Sequence, residues 1–308
     1  MDLSSRYGAQ VRLLVQVLPH VATEPCFALK GGTAINLFVR DMPRLSVDID
    51  LAYVTSEPRQ QALADARAAL SRISEKITGS LPGATAERQS NRDDELRVLV
   101  HRGGVQIKIE VSPVLRGTVH PPTEQDVRPE VEDAFGFAAV PVVSLPDLYG
   151  GKICAALDRQ HPRDLFDVML LLREDGLTRE VFEGFLVYLI SHKRPIAELL
   201  APNRKDLQQI FELEFAGMTR EEVTLGALDE AFEALLAALW RQMTEHDARF
   251  LLSLKDAAPD WTLLGLQGID ELPAVRWKLH NLERMGAEKR AAARSKLEAV
   301  LEKGMGAG

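Results

Sequence analysis

The chain has 308 residues, 46% of them hydrophobic and 27% charged, enough apolar material for one large or two small cores, which excludes a disordered, collagen-like or disulfide-stapled protein. A net charge of -8 argues against a protein that coats nucleic acid over its whole surface, while leaving room for a local basic patch. Two distant cysteines, no apolar run near the roughly 18 residues of a membrane span, and a start (Met1-Asp2-Leu3) without a basic n-region predict a soluble cytoplasmic protein with no membrane partner.

Val11, Leu14, Val15 and Leu18 recur at helical spacing, predicting a helix over 6–21 that Pro19 discourages from continuing. Cys26 to Leu29 is a short apolar run ended by Gly31-Gly32, after which Thr33 can cap a helix. Ser46 to Leu51 alternates strictly, with Val47, Ile49 and Leu51 on one face and Ser46, Asp48 and Asp50 on the other, the pattern of a half-buried strand. A helix over 57–77 and a turn over 79–83 follow. Leu96 to Val100 and Val105 to Val111 then form a hairpin around Arg102-Gly103-Gly104. In its second arm Gln106, Lys108 and Glu110 share the polar face. A polar connection over 116–133 leads to an apolar stretch at 140–143, and Pro146 opens a run of helices at 145–158, 163–174, 178–192, 203–216, 227–243 and 276–303. The fold class is α/β (α+β), a mixed sheet flanked by helices over 1–143, followed by a mainly helical domain over 144–308.

Asp48 and Asp50 leave one sheet face about 7 Å apart at their Cα atoms. Two anions there repel unless a divalent cation with oxygen preference joins them, with Mg²⁺ the natural candidate and Mn²⁺ the substitute. Glu110 is the candidate third ligand. The competing reading is three solvated acids, since Asp-x-Asp alone is weak. Upstream, Lys30-Gly31-Gly32-Thr33 stands at a strand-to-helix junction where backbone N–H groups and a hydroxyl can hold a triphosphate, although it fits neither a Walker A nor a dinucleotide pattern and can also be an ordinary turn.

Leu29-Lys30-Gly31-Gly32-Thr33-Ala34 followed by Arg44-Leu45-Ser46-Val47-Asp48-Ile49-Asp50-Leu51 resembles the nucleotidyltransferase signature of the AbiEii/AbiGii toxin family, part of the DNA polymerase beta-like superfamily that includes the MenT toxins. A second block resembles it too: Ser144-Leu145-Pro146-Asp147-Leu148-Tyr149-Gly150-Gly151-Lys152-Ile153-Cys154-Ala155-Ala156-Leu157, then Pro162-Arg163-Asp164-Leu165-Phe166-Asp167. The resemblance implies a nucleotidyltransferase-like fold and a metal-dependent transfer of NMP from an NTP to an RNA, a tRNA 3′ end, by the toxin of a phage-defence toxin–antitoxin pair. It implies that Lys30, Gly31, Gly32, Thr33 and Ser46 hold the nucleotide, that Asp48 and Asp50 bind Mg²⁺, and that Glu110 is a variable third ligand. It further implies that Lys152 contacts the triphosphate, with Arg163 nearby, that Asp164 is an essential acid orienting Lys152 or the acceptor group, and that Ser46 stands where some relatives are phosphorylated by their antitoxin.

By chemistry alone Lys152 is as readily a lysine whose stem covers the core, and Asp164 and Asp167 as readily acids stabilising a helix start. Seven histidines lack ligand spacing, and His161 reads as a helix-start residue. From Arg276 to Lys303 there are eight Lys/Arg against four Glu. This basic tail, with Trp261 and Trp277, suits an RNA backbone, an acidic antitoxin or plain solvent. Two alternatives stay open: transfer to a small molecule of the aminoglycoside type, and a catalytically silent nucleotide- or protein-binding module.

Overall fold

The computed structural model describes Leu3, residues 5–89 and residues 96–306; Met1 and Asp2, on which the reading of the start partly rests, lie outside the described residues. Two compact units result, Met1–Ser144 with Phe215–Val223, and Leu145–Glu214 with Thr224–Gly308.

The first unit opens with α1 (Arg6–Ala22), capped by the Ser5 hydroxyl, which accepts from Gly8 N. Pro19 does not stop this helix, which runs three residues further. Then come β1 (Phe27–Lys30), a short α2 (Gly31–Ala34) that passes into a π-helical turn (Ile35–Val39), and β2 (Asp48–Tyr53). Next follow α3 (Arg59–Ser80), β3 (Ala84–Gln89), β4 (Arg97–Arg102), β5 (Val105–Arg116), β6 (Thr123–Asp126), α4 (Pro129–Phe135) and β7 (Ala139–Val142).

The strands form one seven-stranded sheet in the order β3-β4-β5-β2-β1-β7-β6. It is mixed, because β2 runs antiparallel to β1 but parallel to β5, and β1 runs parallel to β7. Ile49 and Leu51 of β2 and Ile107, Ile109 and Val111 of β5 are buried on the core side, while Asp48, Asp50 and Glu110 are half-buried on the other face. The period-2 alternation therefore sends the acids and the core to opposite faces, as in any strand with one packed side. The returning segment Phe215–Val223 adds an isolated antiparallel bridge between Arg44 and Thr219.

The second unit is helical: α5 (Leu145–Asp158), α6 (Pro162–Glu174), α7 (Arg179–Ser191), α8 (Ile196–Leu200), α9 (Gln208–Glu214), α10 (Leu225–Gln242), α11 (Glu245–Lys255), α12 (Pro273–Glu283) and α13 (Ala287–Met305). The helix expected over 276–303 is two helices, broken at residues 284–286, where Gly286 precedes α13. α5 and α7 approach closely because both carry glycine at the crossing. A Cβ on Gly184 would lie 2.5 Å from the Pro146 carbonyl oxygen, and one on Gly150 would lie 2.8 Å from the Gly184 backbone. Gly150 of the Gly150-Gly151-Lys152 run is thus fixed by helix packing. Among the described residues no helix is long and apolar enough to cross a membrane.

Candidate active site

The acid pair is placed by β2. In register, Asp48 pairs with Lys108 and Asp50 with Glu110 of β5, while Lys30 of β1 pairs with Asp50 on the other side. Three neighbouring strands therefore present Lys30, Asp48, Asp50, Lys108 and Glu110 together on one face. Glu110 already has cationic partners. Lys108 Nζ stands 2.7 Å from its Oε2 and Arg97 Nη2 3.4 Å from its Oε1. Burial raises the Glu110 carboxyl pKa, but Lys108 and Arg97 outweigh it and hold the group below the ordinary carboxylate range. Burial lowers Lys108, and its bond to Glu110 with the charges of Asp48 and Asp50 overcomes this and raises it.

Among the described residues no three Asp, Glu, His or Cys side chains gather tightly enough to cage a metal by themselves. The donor chemistry still fits Mg²⁺: two carboxylates on one face leave the remaining positions to water and substrate phosphate, the usual coordination of this ion in nucleotide sites.

The glycine turn abuts the acids. Gly31 has a φ of +74°, and a Cβ there would lie 2.8 Å from Asp50 Oδ2. At Gly32 a Cβ would lie 2.7 Å from Arg44 Nη2 and 3.0 Å from Ser46 Oγ. Thr33 is buried, and its hydroxyl donates to the Asp48 carbonyl at 2.5 Å and lies 3.0 Å from Ser46 Oγ. A carbonyl only accepts, so the single Thr33 proton goes to Asp48 and Ser46 supplies the proton of the second bond. Asn36 Nδ2 donates to the Gly32 carbonyl at 2.8 Å, which pins the turn from its own helix.

Arg44 is a residue the sequence reading passed over. Only 2% exposed, it lies beneath the turn, with Nη1 donating to the Leu45 carbonyl at 2.9 Å. Nothing in a single sequence marks an arginine as buried. Its position two residues before Ser46, inside the run that carries the acids, is the one signal that was there. Lys108 was legible as a member of the polar face, without its role as partner of Glu110.

In the second unit, Lys152 of α5 and Asp164 and Asp167 of α6 form a buried cluster. Lys152 Nζ lies 2.9 Å from Asp164 Oδ1 and 2.9 Å from Asp167 Oδ2. Arg159 closes on Asp164 at 2.5 Å and 3.0 Å. Burial would raise the Asp164 pKa, but the charges of Lys152 and Arg159 hold it well below the carboxylate range. His161 caps α6, its Nδ1 accepting from Arg163 N at 3.1 Å, and its Nε2 meets Glu214 at 3.1 Å. Burial lowers its pKa despite that carboxylate. Arg163 Nη2 is 3.6 Å from the same Glu214 oxygen.

Lys30, Gly31, Gly32, Thr33, Ser46, Asp48, Asp50 and Glu110 are thus brought together in the first unit, and Lys152 and Asp164 in the second, where the Arg163 side chain turns instead to Glu214 and His161. The family model described as nucleotidyl transferase AbiEii toxin, type IV toxin–antitoxin system, matches residues 12–281, a span that holds both groups. Among solved structures the chain is similar to MenT4, a nucleotidyltransferase toxin from Mycobacterium tuberculosis H37Rv, with a TM-score of 0.63 and 14% identity over 97% of this chain and 95% of that one. At that identity the likeness is one of fold. No curated protein matches the chain. With a mixed sheet, a glycine turn against paired aspartates, and a family match over most of its length, the chain belongs to the AbiEii nucleotidyltransferase toxins of type IV toxin–antitoxin systems.

Proposed function

We propose that this toxin transfers the NMP moiety of an NTP, with Mg²⁺ bound, to the terminal hydroxyl of an RNA, a tRNA 3′ end, and that it acts in the cytoplasm against a cognate antitoxin as a phage-defence pair. The observation that carries the proposal is the contact between the turn and the acids: the Gly31 backbone leaves no room for a methyl group beside Asp50 Oδ2. A triphosphate lying on that turn lies next to both aspartates.

In this reading Asp48 and Asp50 hold the metal, which when bound supplies positive charge to neutralise the phosphates. Gly31, Gly32 and Thr33 offer backbone N–H groups to the triphosphate, and Lys30 adds a cation. Arg44, buried under Gly32, adds positive charge behind the turn. The acceptor oxygen bonds to the α-phosphorus as the bond from that phosphorus to the bridging oxygen of the β-phosphate breaks. Pyrophosphate leaves, and the hydroxyl proton passes to the carboxylate pair. Glu110, held by Lys108 and Arg97, positions Lys108 beside the aspartates and becomes a metal ligand only on release from them. By the family pattern Lys152 and Arg163 are assigned to the nucleotide as well. Asp164 and Asp167 fix the Lys152 ammonium, which favours a preorganised point charge over a wandering one.

Incubation with each labelled NTP, Mg²⁺ and total RNA, comparing the parent with Asp48→Ala, tests the proposal. Label on RNA with the parent and none with the variant is expected. Label that survives the substitution overturns the site. Label on an aminoglycoside with no RNA requirement supports the small-molecule alternative, and no transfer under any condition supports a silent binding module.

A further inference from the structure

The exposed side of α12 carries an aromatic stack. Trp277 is 61% exposed, and its ring lies on that of His280 with centroids 5.8 Å apart and planes at 30°. Arg284 Nη1 stands 3.5 Å from His280 Nε2. Residues 277, 280 and 284 are three and four apart, so they form one stripe along the helix. Arg276, also exposed, is tied back by its Nε to the Asp270 carbonyl at 3.3 Å.

Trp261 differs: its ring packs against Phe250 at 5.6 Å. The basic residues further along α13 are also engaged, Arg294 with Asp256 and Glu298, and Lys296 with Glu198. The exposed cations on the same helix end as the indole are therefore Arg276 and Arg284, within a stretch that carries eight Lys/Arg against four Glu in a chain of net charge -8.

A protein partner anchored on Trp277 would need an apolar surround to exclude water. The exposed neighbours on α12 are instead polar, Arg276, His280, Asn281 and Glu283, with Arg284 at its C-terminal end. Planar rings interleaved with guanidinium groups are the surface that unpaired bases and their phosphates require. We infer that the Trp277–His280–Arg284 stripe is a docking face for a single-stranded segment of the RNA acceptor, one base stacking on the indole and Arg284 and Arg276 meeting its phosphates. The inference rests on the reading of RNA as acceptor.

The test is binding of a fluorescein-labelled, mixed-sequence 12-nucleotide single-stranded RNA to the full chain, without NTP or divalent ion, beside a duplex of the same length. Trp277→Ala is expected to weaken single-strand binding about tenfold, the size of one base stack. Trp277→Phe, which keeps a ring, is expected to retain most of it. Arg284→Ala is expected to lower the slope of log affinity against log salt by about 0.7, one phosphate contact. Thermal melting of each variant checks that α12 remains folded. Equal binding by parent and Trp277→Ala, or equal affinity for duplex and single strand, overturns the face, as does a Trp277→Ala variant that keeps RNA affinity and loses only antitoxin binding. The transfer assay run in parallel separates the two readings. Trp277-dependent binding with no label transfer keeps the face and sinks the catalytic proposal, whereas transfer to RNA with an unmoved RNA KM in Trp277→Ala does the reverse.

Discussion

The Thr33 hydroxyl donates to the backbone carbonyl of Asp48 at 2.5 Å and takes a second hydrogen bond from Ser46, so one buried hydroxyl joins the glycine turn to the strand that bears the acids. The bond fixes how far the turn stands from the carboxylates, which is what positioning a triphosphate against a metal requires. Thr33→Val keeps the shape and removes the donor to the Asp48 carbonyl and the acceptor for Ser46, and a loss of about 1 kcal/mol is expected. Thr33→Ser restores the hydroxyl and most of that loss. Urea midpoints at unchanged slope, with KM for the NTP, check it; a Val variant with parental KM and stability would show the bond to be idle.

Gly31 faces two separate demands, a positive φ of +74° and the absence of a Cβ beside Asp50 Oδ2. Gly83 has the same kind of backbone, φ +75°, with nothing within 4 Å of a Cβ, and serves as the control. Gly83→Ala is expected to cost about 1 kcal/mol, the left-handed penalty alone. Gly31→Ala adds displacement of the Asp50 carboxylate, so its transfer rate falls at least tenfold while its stability loss exceeds that of the control. Rates and urea midpoints of both variants check this; equal effects on both readouts would refute a steric role for Gly31.

The parts of the first unit that carry the chemistry were legible because period-2 alternation is strong in β2 and β5, where Ile49, Leu51, Ile107 and Ile109 are buried and the acids face the other way. β3 and β6 escaped notice for the opposite reason. Ala84–Gln89 and Thr123–Asp126 are edge strands made mostly of exposed polar residues, and an edge strand has little apolar pattern to read. α4 escaped within the polar connection, since seven residues give less than two turns of helical period. In the site, Gly31, Thr33, Asp48 and Asp50 were legible as residue types in order. Of the Lys152 cluster, Asp164 was legible as a partner that orients Lys152, whereas the equal share of Asp167 was not, because the members pair across two helices twelve and fifteen residues apart, and Arg44 gave no sign of burial.

Lys152 is the shared cation of two buried carboxylates, so its removal reads out electrostatics. Asp164 titrates below its unfolded value; its contribution is therefore complete above the ordinary carboxylate range and disappears as pH falls through the folded value. Lys152→Met leaves buried negative charge short of its partner, and a loss of about 3 kcal/mol is expected at neutral pH. The gap between parent and variant should narrow toward about pH 4, where protonation relieves the variant's buried charge. Urea midpoints at the two pH values check the sign, and a gap that stays constant or widens on acidification would show that the cluster does not hold ionised acids.

Far from the acid pair in sequence, Asp247 links two helices. Its carboxylate accepts from Arg179 Nη1 at 2.8 Å and Nη2 at 2.6 Å, and from the Thr244 backbone N at 2.9 Å and hydroxyl at 2.7 Å. The same residue therefore completes the capping box of α11 and anchors it to α7 through a two-pronged arginine contact. Burial opposes ionisation, but the bonds from Arg179 and Thr244 prevail and hold its pKa below the ordinary range, so this contribution too is present above that range and lost as pH falls. Asp247→Ala removes cap and ion pair together, and a loss of about 3 kcal/mol is expected at neutral pH. Asp247→Asn keeps one carbonyl acceptor for the cap and should lose less, with a weaker dependence on acid. Melting temperatures of the three proteins across pH check the order. At a temperature where all are folded, the substitutions should leave the transfer rate at the parental value, because Asp247 acts on the packing of α11 and touches none of the groups that carry the chemistry.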